Sequence, residues 1–108
     1  MLKTVWVADH HEELSEIITG LVAEADRYGL ADEEREWIDE LARDVRDDEL
    51  TPSTMVFLGL ATAELRTSPA VLALNGTRPY RVHILLAHAD TLRSQFADLG
   101  DAQQGDAA

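Results

Sequence analysis

The sequence predicts an all-α fold, a small bundle of four main helices with one additional short helix. Apolar residues recur at intervals of three and four along most of the chain, and residues that start and stop helices separate these runs. With 108 residues, the chain has room for a single hydrophobic core. We therefore expect one helical domain over residues 9–99, preceded by an extended segment over residues 1–8 and followed by a disordered tail over residues 100–108.

The N-terminal segment departs from the helical pattern. Val5, Trp6 and Val7 are β-branched or aromatic residues, which favour an extended backbone. The chain offers no second strand-like run to pair with them. We expect the segment either to pack against the helices through its side chains or to pair with the same segment of another copy.

Acidic N-caps are predicted for the first two helices. Asp9 precedes the first apolar run, with Glu12 three residues later, and Gly29 ends that helix. Asp32 caps the second helix, which ends near the acidic cluster at residues 47–49.

Proline marks the start of the remaining three helices. Pro52 follows Thr51, Pro69 follows Ser68, and Pro79 lies in the segment that opens the last and longest helix. The expected spans are residues 52–66, 69–76 and 77–99.

The helix over residues 52–66 is apolar on nearly all sides, so it is expected either at the centre of the domain or in an oligomer interface. A homodimer would cover both this helix and the N-terminal segment. We therefore predict a homodimer with its acidic helices facing outward. The predicted interface residues are Val5, Trp6, Val7, Phe57 and Leu58.

Negative charge is concentrated in the first half of the chain. The formal net charge is −12, and residues 9–49 carry 16 acids against four arginines. Residues 50–99 carry three acids and four arginines. This imbalance implies self-repulsion, high solubility and attraction to cationic partners. It would repel a phosphate backbone, so we predict no direct binding of nucleic acid.

Carboxylates spaced four residues apart form a row on the second helix. Glu36, Glu40, Asp44 and Asp48 belong to this row, and like charges at this spacing destabilise an isolated helix. The row is either a solvated face screened by water and salt or a surface presented to a basic protein partner. The predicted partner-binding residues are Glu33, Glu36, Glu40, Asp44, Asp47 and Asp48.

The histidines do not have metal-binding spacing. His10 and His11 are adjacent and His83 and His88 are five apart, whereas the zinc-binding helix signature places two histidines four apart. We predict no metal site, no cofactor and no enzymatic activity. The chain has no cysteine and no apolar run of the ~18 residues that a membrane span requires. We therefore expect a cytoplasmic protein that does not bind membranes.

In size and acidity, the chain resembles small acidic helical inhibitors. Examples are the immunity proteins that neutralise basic nuclease toxins and the phage proteins that occupy the nucleic-acid groove of a host enzyme. This resemblance implies a non-enzymatic inhibitor or adaptor that uses a negatively charged helical face to occupy a basic surface of a protein partner. The alternative is a structural homo-oligomeric subunit whose acidity reflects solubility or salt adaptation.

Overall fold

The structure, a computed structural model, describes residues 2–30, 35–74 and 80–107, and only the backbone of residues 100–107. Within these ranges it contains helices and no strand, which confirms the predicted all-α fold. The helices are α1 (Leu2–Asp9), α2 (His11–Tyr28), α3 (Glu36–Arg46), α4 (Pro52–Thr67), α5 (Pro69–Leu72) and α6 (Arg81–Ala107).

Four of these helices form the bundle. Both α2 and α4 pack closely on α3 and on α6, so the α2–α3 side of the bundle lies opposite the α4–α6 side. Their apolar stripes meet in one core, as the spacing of apolar residues predicts. The largest fully buried side chains of this core include Leu14, Ile18, Leu21, Ile38, Leu41, Leu58, Leu65 and Leu92.

The N-terminal segment is helical, so the prediction of an extended segment is wrong. Val7 is only 2% exposed, and the Trp6 ring meets the edge of Phe96 on α6 at a centroid distance of 5.5 Å. The backbone N–H of His10 also donates to the carbonyl of Trp6 at 3.0 Å. A helix satisfies its own backbone groups, which a lone strand cannot do, and packing on α6 outweighs the β propensity of this stretch. Strand pairing between copies through this segment is therefore not supported.

The α1 helix also shifts the start of α2. Asp9 is the last residue of α1, and His10 occupies the N-cap position of α2 in place of the predicted Asp9. The start of α4 agrees with the prediction, since Thr51 is the N-cap and Pro52 the first helical residue. The predicted cap Asp32 lies outside the described residues.

The last helix differs from the prediction at its C-terminal end. The helical backbone of α6 continues to Ala107, rather than ending near Leu99. The expected disordered tail over residues 100–108 coincides with this extension, which forms although Gly100 and Gly105 disfavour helix. No helix in the described part of the chain is long and apolar enough to cross a membrane.

Candidate functional site

The predicted carboxylate row does not form one continuous face of α3. Because α3 ends at Arg46, Asp48 lies in the loop beyond the helix. Glu36 is exposed in the first turn, whereas Glu40 bonds Arg43 at 2.7 Å. The predicted site residue Glu33 lies outside the described residues.

Asp44 connects α3 to the start of α4. Its Oδ2 accepts a hydrogen bond of 2.8 Å from the Thr54 hydroxyl. The same hydroxyl accepts the backbone N–H of Thr51 at 3.0 Å, and Thr54 is fully buried. Asp44 therefore stabilises the N-terminus of α4, where a negative charge is also favourable.

The role of Asp44 leads to a stability prediction. We expect Asp44→Ala to lower the free energy of unfolding by about 1–2 kcal/mol, because the buried Thr54 hydroxyl loses its acceptor. The control is Glu36→Ala at the exposed start of α3, which should change stability by less than about 0.5 kcal/mol. Urea unfolding followed by circular dichroism measures both, and equal effects would contradict this assignment.

Arginines neutralise much of the remaining acidity of α3. The Arg35 guanidinium lies 2.7 Å from the Asp26 carboxylate and 3.6 Å from that of Asp39. The hydrogen bond to Asp26 raises the pKa of Arg35, against an opposing effect of burial. Surface pairs of this kind contribute little to stability, but they reduce the charge that α3 presents to a partner.

Exposed acids also cluster at the C-terminal end of α3, where Asp47 pairs with Arg46 at 3.5 Å. His11 Nε2 hydrogen-bonds Asp48 Oδ1 at 2.6 Å, although the two residues are 37 positions apart. This contact joins the start of α2 to the α3–α4 loop and brings together the acids that flank each residue. We call this exposed group the acidic corner; it comprises Asp9, Glu12, Asp47, Asp48 and Glu49.

Asp48 has an unusual backbone conformation. Its φ is +56°, and it is the one non-glycine residue with positive φ in the described part of the chain. The N–H groups of Asp48 and Glu49 donate to the carbonyls of Val45 and Asp44, which is the Schellman pattern at a helix end. Gly29 holds the equivalent position after α2, with φ +62°. An aspartate thus occupies a position that favours glycine, at a cost of about 1 kcal/mol.

No family model, curated protein or solved structure matches this chain significantly. The described residues also contain no group of three or more His, Asp or Glu side chains that could hold a metal ion. A function therefore has to be argued from the surfaces of the molecule itself.

The predicted interface residues lie mostly inside the molecule. Val7 and Leu58 are 2% and 0% exposed and belong to the core of the single chain, which corrects their assignment to a surface. Trp6 and Phe57 are half-buried, and Phe57 stacks on Trp37 of α3. Only Val5, among the five, has an exposed side chain.

Two other residues form the outward apolar part of α4. Val56 and Leu60 are 60% and 39% exposed. They are four residues apart and therefore share a helix face, whereas Leu58 points the opposite way. The sequence did not predict them as exposed, because nearly every side of this helix is apolar and the pattern does not indicate which side faces the core.

One carboxylate is buried among the described residues. Glu24 on α2 is 2% exposed, with Arg27 Nε at 3.5 Å and Arg81 Nε at 3.8 Å. The contact with Arg81 links α2 to α6, and Glu13 makes a second link by bonding His88 at 2.6 Å. These pairs connect bundle helices and are separate from the acidic corner.

Proposed function

We propose that this protein is a non-enzymatic inhibitor or adaptor of the cytoplasm that binds a basic surface of a protein partner through its acidic corner. The observation that carries the proposal is the contact between His11 and Asp48, which gathers exposed acids from two distant parts of the chain. Clustered negative charge of this kind increases the association rate with a basic surface and selects against acidic partners.

The conformation of Asp48 supports the same proposal. Glycine would adopt the left-handed backbone at this position without strain, so an aspartate there lowers the stability of the fold. Strained residues occur preferentially at sites where the side chain has a role. A basic surface that normally holds nucleic acid fits the chemistry, because its arginines and lysines are spaced to meet clustered negative charges.

The binding test compares the two ends of α3. The test variant carries Asp47→Asn and Glu49→Gln in the acidic corner. The matched control carries Glu36→Gln and Asp39→Asn in the first turn, so each variant loses one aspartate and one glutamate from exposed positions. Affinity capture from a lysate of the native host at 0.1 M NaCl identifies the partner, and titration of that purified partner measures its affinity.

We expect the test variant to bind about 0.5–2 kcal/mol more weakly, or roughly 2- to 30-fold, with the control close to wild type. Asp48→Gly should also weaken binding while leaving the free protein equally stable or up to about 1 kcal/mol more stable. Equal losses in test and control variants would mean that only overall charge matters. A greater loss in the control would assign binding to the start of α3, and no capture by the wild type would reject the proposal.

A further inference from the structure

The outer surface where α4 and α6 lie side by side is almost free of acids. Most of its exposed residues are small, apolar or uncharged, in a chain whose net charge is −12, and its exposed Arg66 pairs with Asp90. Asp98 lies at its edge, immediately after Ala97. We call this surface the neutral face; it comprises Val56, Leu60 and Ala63 on α4 and Ala87, Ser94 and Ala97 on α6.

A groove of about 460 Å³ runs along the neutral face between the two helices. Val56 and Leu60 line one wall, and Phe96 and Ala97 line the other. The Arg93 guanidinium lies directly on the backbone of Gly59, where a Cβ would come within 2.8 Å of Nη2. The groove is therefore mainly apolar, with the Arg93 cation at its floor and the Lys3 ammonium 5.0 Å from the centroid of the Phe96 ring.

The charged residues near the groove largely neutralise one another. Asp90 bonds Arg66 from α4, and its other oxygen lies 3.7 Å from Arg93. These three residues leave a net charge of +1. The surface thus lacks the repulsion that the acid-rich half of the chain would create between two copies.

The position of the neutral face determines which pairing of copies is electrostatically favourable. The α4–α6 side lies opposite the α2–α3 side, and helices α2 and α3 carry nine acids against three arginines. Pairing through the neutral faces places the acidic sides about 30 Å apart, given helix layers about 10 Å apart. This is roughly three Debye lengths at 0.1 M salt, so their repulsion is screened. Pairing through the acidic sides would bring the charges into contact.

We propose that the neutral face binds a second copy of this chain in a symmetric homodimer. Val56 and Leu60 of each copy enter the groove of the other, because a two-fold axis makes the same patch contact itself. The two acidic corners then remain exposed, which leaves this inference independent of the proposed partner.

The test introduces one charge at either of two exposed alanines. Ala63→Glu places a carboxylate in the neutral face, and the matched control Ala23→Glu places it on the outward side of α2. Both substitutions keep a strong helix former, so both variants should fold, and circular dichroism checks this. Light scattering and sedimentation velocity from 5 to 500 µM give the mass of each protein.

We expect wild type and Ala23→Glu to reach twice the chain mass of 12.0 kDa, and Ala63→Glu to require at least tenfold higher concentration. Dimerisation of the wild type should tighten between 0.01 and 0.1 M NaCl, since the Debye length falls from about 30 Å to about 10 Å over this range and the repulsion between the acidic sides becomes screened. A wild type that stays monomeric at 500 µM would overturn the proposal. A dimer weakened equally by both substitutions would also overturn it, because the contact would then not involve the neutral face.

Discussion

Replacement of Leu58 by alanine is expected to lower the free energy of unfolding by about 2–5 kcal/mol. Leu58 is 0% exposed and packs in the core of the single chain, so its loss removes buried apolar area and leaves a cavity. Chemical unfolding at low micromolar concentration, followed by circular dichroism, measures the change in the monomer.

The matched control is Leu60→Ala, two residues further along α4. Leu60 is 39% exposed, and its truncation should change monomer stability by less than about 1 kcal/mol. The same variant should weaken the dimer, since Leu60 belongs to the neutral face. If Leu58→Ala instead left the monomer stable and abolished the dimer, Leu58 would be an interface residue, as the sequence alone suggests.

A second large effect is expected at Trp6, whose replacement by alanine should cost about 3 kcal/mol. The indole stacks on His10 at a centroid distance of 4.0 Å and meets the edge of Phe96, and it thereby holds α1 on α6. The expected cost lies at the lower end of the range for tryptophan, because the side chain is only half-buried.

Val5→Ala is the matched control for α1. Val5 is 55% exposed, so we expect a change within about 0.5 kcal/mol. Since only one tryptophan remains in Trp6→Ala, far-ultraviolet circular dichroism is preferable to fluorescence as the common probe. Equal stability of Trp6→Ala and wild type would show that α1 does not depend on its contact with α6.

Local signals in the sequence were sufficient for most of the bundle. The apolar residues Leu14, Ile17, Ile18 and Leu21 recur at intervals of three and four, the pattern that predicted this helix, and they form the buried side of α2. Thr51 and Pro52 predicted the start of α4, because the requirements of a helix N-terminus are local.

The errors concern features that depend on distant residues. The helical α1 packs through Trp6 on Phe96, 90 positions away in the sequence, whereas β propensity describes only the local preference of residues such as Val5 and Val7. The outward direction of Val56 and Leu60 likewise depends on which helices surround α4.

Only part of the candidate site could be predicted from the sequence, because the rest of it depends on distant residues. The charge imbalance identified the acidic half of the chain. The predicted row of carboxylates wrongly placed Asp48 on the helix, because no glycine marked the end of α3. The pairing of His11 with Asp48 could not be predicted, because it depends on how α2 and the α3–α4 loop pack in the folded chain.

The packing of α1 and α2 on α6 affects how the chain folds during synthesis. The α3 helix packs on both α2 and α4, its neighbours in sequence, so these three helices can pair as they leave the ribosome. The sides of α1 and α2 that face α6 stay uncovered until α6 has been translated. During that interval the nascent chain exposes apolar surface, and repulsion among the carboxylates of residues 9–49 keeps neighbouring nascent chains apart.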